Sequence, residues 1–256
     1  MNAHWSEYLM EAAGLGLFMI SAAVVTAALE YPHSPLHDLF PDPTHRRILI
    51  GLSMGLTAVG LIYSPWGKRS GAHLNPAVTM TFFRLGKIKG RDALSYVAAQ
   101  FVGGTIGLWL AARILGLAIE YPAVNYVVTV PGPDGTATAF VAEAIISFGL
   151  MLMVLVVSNQ PSINRWTGVF AGGLVAIYIA VEAPLSGMSM NPARTFASAL
   201  PAQLWTDYWL YLIAPLSGML LAAECYVRTN GIHRVLCAKL HHQNNARCIF
   251  HCRYHV

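Results

Sequence analysis

Charge is scarce in this chain. Asp, Glu, Lys and Arg together make 11% of its 256 residues, against roughly a quarter in soluble domains. That shortage argues against an ordinary soluble fold, and the net charge of +4 gives no reason to expect a nucleic-acid partner. Cysteine is absent from the first 224 residues; Cys225, Cys237, Cys248 and Cys252 cluster at the C-terminal end. An extracellular disulfide framework is therefore not expected. A basic leader is missing as well. Glu7 and Glu11 stand in the first segment, whose apolar run is as long as a full span, so it is expected to stay in place and not be cleaved as a signal peptide. No nucleophile–base pair, cofactor loop or catalytic metal set stands out, so the chain reads as a non-enzyme without a cofactor.

Apolar residues dominate instead, at 55%, in runs long enough for the roughly 20 residues of helix that cross a bilayer. Six spans are read near 8–29, 46–64, 94–117, 138–158, 166–184 and 208–227. Lys68, Arg69, Arg84, Lys87, Lys89, Arg91 and Arg165 fall in connections on one side, joined by five basic residues after Tyr226. The other side has mainly Arg46 and Arg47. Excess Lys and Arg mark the cytoplasmic face, so both termini are expected there, with the long connections 30–45 and 119–137 external. Short loops and the lack of targeting segments point to a bacterial inner (plasma) membrane.

One ten-residue segment occurs twice. Ser70-Gly-Ala-His-Leu-Asn-Pro-Ala-Val-Thr79 and Ser186-Gly-Met-Ser-Met-Asn-Pro-Ala-Arg-Thr195 agree at six of ten positions and stand 116 residues apart. The repetition extends further: Glu11 answers Glu143, and Tyr96 to Gly103 matches Tyr211 to Gly218. Each half thus holds three spans, and three is odd, so the second half enters the membrane from the opposite face. The halves run about 5–118 and 137–227 within a single domain at 1–227. A polar, basic tail at 228–256 follows and is expected to be mobile. The pairs Gly51 and Gly55, Gly103 and Gly107, and Gly168 and Gly172 have the spacing of close helix contacts.

Each Asn-Pro-Ala has the chemistry of a helix start. Pro76 and Pro192 suit the first turn, where a missing N–H costs nothing, and Asn75 and Asn191 are good N-caps. The stretches 76–84 and 192–200 allow about two turns each, roughly 12–14 Å, or half of a hydrocarbon layer. Two half-helices meeting tip to tip would make a seventh, broken span. Its centre would present two side-chain amides and two positive helix ends, which suit a water oxygen and oppose cations and protons. Arg194 lies just beyond the second motif; a charge there costs at least about 2.5–3.5 kcal/mol and marks a pathway. Arg113, near the outer end of span three, needs only to snorkel to the interface.

With its doubled Ser-Gly-x-x-x-Asn-Pro-Ala motif, the sequence resembles the aquaporin, or major intrinsic protein, family over 5–227. The resemblance implies an all-α transmembrane fold of six spanning helices and two re-entrant half-helices in an inverted repeat, assembled as a homotetramer with one pore per subunit. It places Asn75, Pro76, Ala77, Asn191, Pro192 and Ala193 at the pore centre and His73 in the pore lining. It makes Glu11 and Glu143 buried carboxylates that accept hydrogen bonds from the re-entrant loops. In a narrow external constriction Arg194 is joined by Ile179, Met188 and either Met54 or Gly55. Water channels of this family combine an aromatic, a His and the Arg there, and glycerol channels combine aromatics with a Gly. None of this chain's candidates is His or aromatic, whereas Thr195 and Ala199 match the water-channel pattern.

The expected function is a passive water channel in the lipid bilayer that excludes protons and ions. The alternatives are a channel for small neutral solutes (glycerol, hydrogen peroxide, metalloid acids) and a closed-pore structural or adhesion protein. The tail carries Cys237, His241, His242, Cys248, His251, Cys252 and His255. Their spacing fits no standard zinc finger, so no metal site is expected.

Overall fold

Several helices begin at an Xaa-Pro step whose first residue caps them, Ser34 before Pro35 among them, which explains where the long apolar runs are cut. Asp42, Asn75 and Asn191 each accept backbone N–H groups of the turn that follows, with Pro43, Pro76 and Pro192 at the first helical position. Ser64 does the same for a short helix beginning at Pro65. The carboxylate of Asp42 is held below its ordinary pKa by the N–H groups of His45 and Thr44.

The computed structural model describes residues 4–254; His255 lies outside them. Its helices, in chain order, are α1 (Trp5–Glu30), α2 (Pro35–Leu39), α3 (Pro43–Tyr63), α4 (Pro65–Ser70), α5 (Pro76–Arg84), α6 (Gly90–Leu115), α7 (Leu117–Glu120), α8 (Gly135–Ser158), α9 (Thr167–Val181), α10 (Ala183–Ser186), α11 (Pro192–Ala202) and α12 (Tyr208–Asn230). No strand occurs among the described residues. Helices α1, α3, α6, α8 and α12 are long and apolar enough to span a bilayer. Helix α9 has 15 residues, about 22 Å of helix, and takes the place of the span expected at 166–184. Helices α5 and α11 are the two half-helices.

The two halves pack by the same rule. Helix α1 lies along α6, as α8 lies along α12, and α3 pairs with α9 across the halves. The half-helices are exchanged: α5 rests on α12 and α11 on α6. Glycine permits these close approaches. A Cβ on Gly55 would stand 2.5 Å from Gly172 O, and one on Gly107 would stand 2.3 Å from Gly16 O. Gly55→Val is therefore expected to push α3 off α9 and cost about 1–3 kcal/mol or more, read as a lower midpoint of thermal unfolding in detergent.

The outer surface is apolar, with Leu56, Ile114, Leu117 and Val181 each more than 70% exposed. Trp5, Trp66, Trp166, Trp205 and Trp209 are exposed at helix ends, as in the aromatic belts of membrane proteins. Arg113 is exposed and lies over the Trp109 ring at 4.9 Å, which fits the snorkelling expected of it. The tail departs from expectation. Far from being loose, residues 235–242 and 249–250 pack against the end of the bundle that carries the termini, with Val235, Cys237, Ala238, Lys239 and Leu240 all buried.

Candidate functional site

The two Asn-Pro-Ala segments meet. Asn75 Oδ1 accepts from Ala77 N at 2.8 Å, and Asn191 Oδ1 accepts from Ala193 N at 3.1 Å and Arg194 N at 3.3 Å. Each side-chain amide also reaches across: Asn75 Nδ2 donates to Met190 O at 2.7 Å, and Asn191 Nδ2 donates to Leu74 O at 2.8 Å. An amide carries two N–H donors; one ties the opposite loop, and the other remains for a ligand in the lumen. Pro76, Ala77, Pro192 and Ala193 are buried at the first two helical positions.

Glu11 and Glu143 hold the strands of chain leading into the motifs. Glu11 Oε1 accepts from Ser70 Oγ at 2.7 Å and His73 N at 3.1 Å, and its Oε2 accepts from Leu74 N at 2.6 Å and Gln100 Nε2 at 2.8 Å. Glu143 Oε1 accepts from Ser186 Oγ at 2.9 Å and Ser189 N at 2.6 Å, and its Oε2 from Met190 N at 2.7 Å. Tyr96 O–H donates to Ser70 O at 2.7 Å, and Tyr211 O–H donates to Ser186 O at 2.5 Å. Each repeat element seen in the sequence thus has one job done twice. The backbone needs this fixing. Ala72, Leu74, Met188 and Met190 all have φ between 48° and 54°, a left-handed conformation that costs about 1 kcal/mol or more per residue.

A cavity of about 330 Å³ runs past both caps. Its walls are helical stripes: Leu15, Phe18, Ala22 and Thr26 on α1; Arg47, Ile50, Met54, Ala58 and Ile62 on α3; Ala171, Val175 and Ile179 on α9. Steps of three and four residues keep each stripe on one face. Met54 falls on that face and lines the cavity, but Gly55 does not. It points at the α9 backbone, so the reading of Gly55 as a filter residue is corrected by helix–helix contact. Ile179, Met188 and Arg194 all line the cavity, as does His73. Arg194 is in no ion pair among the described residues, and Nη1 donates to Ser198 Oγ at 3.4 Å.

Some lining residues were not foreseen. Arg47 lines the cavity with Nε donating to Ala180 O at 2.9 Å. It lies seven residues before Met54, so the helical period alone would have placed it there. Val124, Val127 and Val128, from the connection before α8, and Leu240, from the tail, carry no comparable signal. His73 is braced at both nitrogens. Nε2 donates to Ala238 O at 2.8 Å, since a carbonyl can only accept; this leaves Nδ1 to accept from Thr79 Oγ1 at 3.0 Å. Burial pushes the amines of Lys87 and Lys239, near this mouth, below their ordinary pKa.

Comparison with known proteins agrees with this architecture. The family model described as "Major intrinsic protein" matches residues 2–226. A probable aquaporin of the NIP type from Nicotiana alata is 35% identical over 179 residues, covering 69% of this chain and 64% of that protein. Aquaporin NIP3-1 of Arabidopsis thaliana is 34% identical over 181 residues, covering 69% and 55%. The chain therefore spans less than two thirds of the length of these plant relatives. The probable aquaporin AqpM of Archaeoglobus fulgidus is 35% identical over 188 residues, covering 69% and 74%. Among solved structures, the aquaglyceroporin from Plasmodium falciparum has the same fold, with a TM-score of 0.74 at 21% identity, covering 88% of this chain and 96% of that one. On this match across nearly the whole helical bundle, the chain belongs to the major intrinsic protein family.

Proposed function

We propose that the protein is a passive water channel that excludes protons and ions. One observation carries this reading: a single cavity passes both Asn caps, where two amide N–H donors and two half-helix N-termini converge. A water oxygen accepting from both amides turns its own protons outward, away from its neighbour at the caps, and the positive helix ends oppose a cation. Beyond the caps, Arg194 offers N–H donors opposite Met54, Ile179 and Met188 and forms the constriction. Both termini face the cytoplasm, a reading supported by twelve of the sixteen Lys and Arg residues on the terminus-bearing side. The relatives come from plants and an archaeon, so they lend no support to a bacterial inner membrane. A homotetramer with one pore per subunit completes the proposal, on the family resemblance.

A second reading is favoured by the wall itself. Three apolar side chains, Met54, Ile179 and Met188, line the same cavity as the Arg194 guanidinium; a constriction built from them would be amphipathic and suit a solute with a carbon face and hydroxyls such as glycerol. Stopped-flow light scattering of proteoliposomes separates the two: shrinkage without re-swelling in glycerol supports water alone, and re-swelling supports neutral solutes. Ile179→His, which adds a polar group to that wall, is expected to lower glycerol permeability about tenfold while changing water permeability far less. Equal losses of both would contradict the placement of Ile179 in the constriction.

A further inference from the structure

The tail that caps one mouth holds a cluster that the channel reading leaves unused. Residues 235–254 contain no helix or strand, yet six consecutive residues, Cys237 to His242, are buried. The ligand atoms of Cys237, His242, Cys248 and Cys252 all lie within 4.8 Å of one another. Cys237 Sγ and Cys248 Sγ stand 3.6 Å apart, and Cys252 Sγ and His242 Nε2 3.0 Å apart. Bonds of about 2.3 Å from sulfur to a tetrahedral zinc put sulfurs roughly 3.7 Å from one another. The Cys237–Cys248 spacing is thus that of two sulfurs on one ion and not of a disulfide, whose sulfurs are bonded at about 2 Å, and the other two ligand atoms lie close enough to close the set.

We propose that Cys237, His242, Cys248 and Cys252 bind a single zinc-class divalent ion, and that the ion clasps the tail across the inner mouth of the channel. Three thiolates and one imidazole form a closed structural zinc set. The resulting single negative charge faces the amines of Lys87 and Lys239, which stand near the sulfurs. The outer shell is built as well. The His242 ring stacks on Tyr254 at 4.4 Å, and Tyr254 O–H donates to Ser158 O and accepts from Asn164 Nδ2 at 3.0 Å. Lys239 Nζ donates to Ala246 O and Arg247 O, closing the loop that carries the ligands.

The same loop is stitched to the pore. His73 Nε2 donates to Ala238 O, Leu240 N donates to Gly71 O at 3.1 Å, and His251 N donates to Lys87 O at 2.9 Å. Phe250 stacks on the His73 ring at 5.4 Å, and the Leu240 side chain lines the cavity. An ion that ties positions 237 and 252 together holds these contacts in place. The proposal rests on the inward orientation given above, because a reducing cytoplasm keeps the thiols available as ligands.

The test uses the full chain purified without chelator, beside Cys248→Ser and Cys252→Ser. Wild type is expected to retain about one zinc per chain, and each variant to hold it about a hundredfold or more weakly. Cobalt loaded in place of zinc should give thiolate-to-metal charge-transfer absorption in wild type and lose it in the variants. Absence of stoichiometric zinc, or a Cys237–Cys248 disulfide in protein handled under reducing conditions, would overturn the site. In proteoliposomes, chelation should raise water flux severalfold for wild type and leave Cys252→Ser unchanged. Equal flux with and without zinc would overturn the clasp. Zinc binding without conduction in any state would count against the channel reading and leave the metal site standing.

Discussion

Vesicles carrying Arg194→Ala are expected to dissipate an imposed proton or cation gradient at least about tenfold faster than vesicles carrying the wild-type protein. The guanidinium lines the cavity without an ion-pair partner among the described residues, so its charge is expressed in the lumen. At an effective dielectric constant of about 20, two like charges about 8 Å apart repel by about 2 kcal/mol, and each 1.4 kcal/mol of barrier is tenfold in rate. Removing it is expected to lower the cation barrier and to widen the lumen beside Met54, Ile179 and Met188, which line the same cavity, so larger solutes should also enter faster. Arg194→Lys retains the charge but not the planar fork of donors; it should keep cations out and lose more of the solute discrimination. Proton and solute permeabilities of Arg194→Ala at wild-type levels would show that the constriction lies elsewhere.

Glu143→Ala is expected to abolish the folded channel rather than retune it. The substitution leaves Ser189 N and Met190 N without an acceptor, while Ser186 Oγ keeps Glu182 Oε1. A buried donor left unsatisfied costs about 1–3 kcal/mol, so the loss is about 2–6 kcal/mol, a large share of the stability of many proteins. The left-handed residues Met188 and Met190 would then lose what holds them. Glu143→Gln keeps one acceptor oxygen and should be milder. Yield of monodisperse protein and its unfolding midpoint in detergent measure both; a wild-type midpoint for Glu143→Ala would contradict the bracing role. Glu11 braces the first motif in the same way. Four protein donors already occupy its two oxygens.

The sequence carried the parts of the site that obey local rules. Asn and Pro at a helix start are local chemistry, so Asn75 and Asn191 could be placed as caps before any contact was known. Repetition added the rest of the frame. Tyr96 and Tyr211 matched in sequence because both hold a serine carbonyl of the motif. The choice between Met54 and Gly55 needed the helical stripe that runs from Arg47 to Ile62, because counting from the family pattern left two candidates one residue apart. Residues brought in by loops escaped altogether. Val127, Val128 and Leu240 line the cavity through tertiary packing that has no period in sequence. The packing of the tail escaped for the same reason: Cys237, His242, Cys248 and Cys252 are brought together by irregular chain.

The central claim is that the paired half-helices form a water path closed to protons. Its most direct test is one vesicle preparation carrying both a volume signal and an internal pH dye, subjected to an osmotic step across a pH gradient, with and without chelator. The account predicts shrinkage well above that of empty vesicles in at least the chelated state, with the pH gradient decaying no faster than in empty vesicles. Shrinkage at the empty-vesicle rate in both states, or a pH gradient that collapses together with the volume, would contradict it.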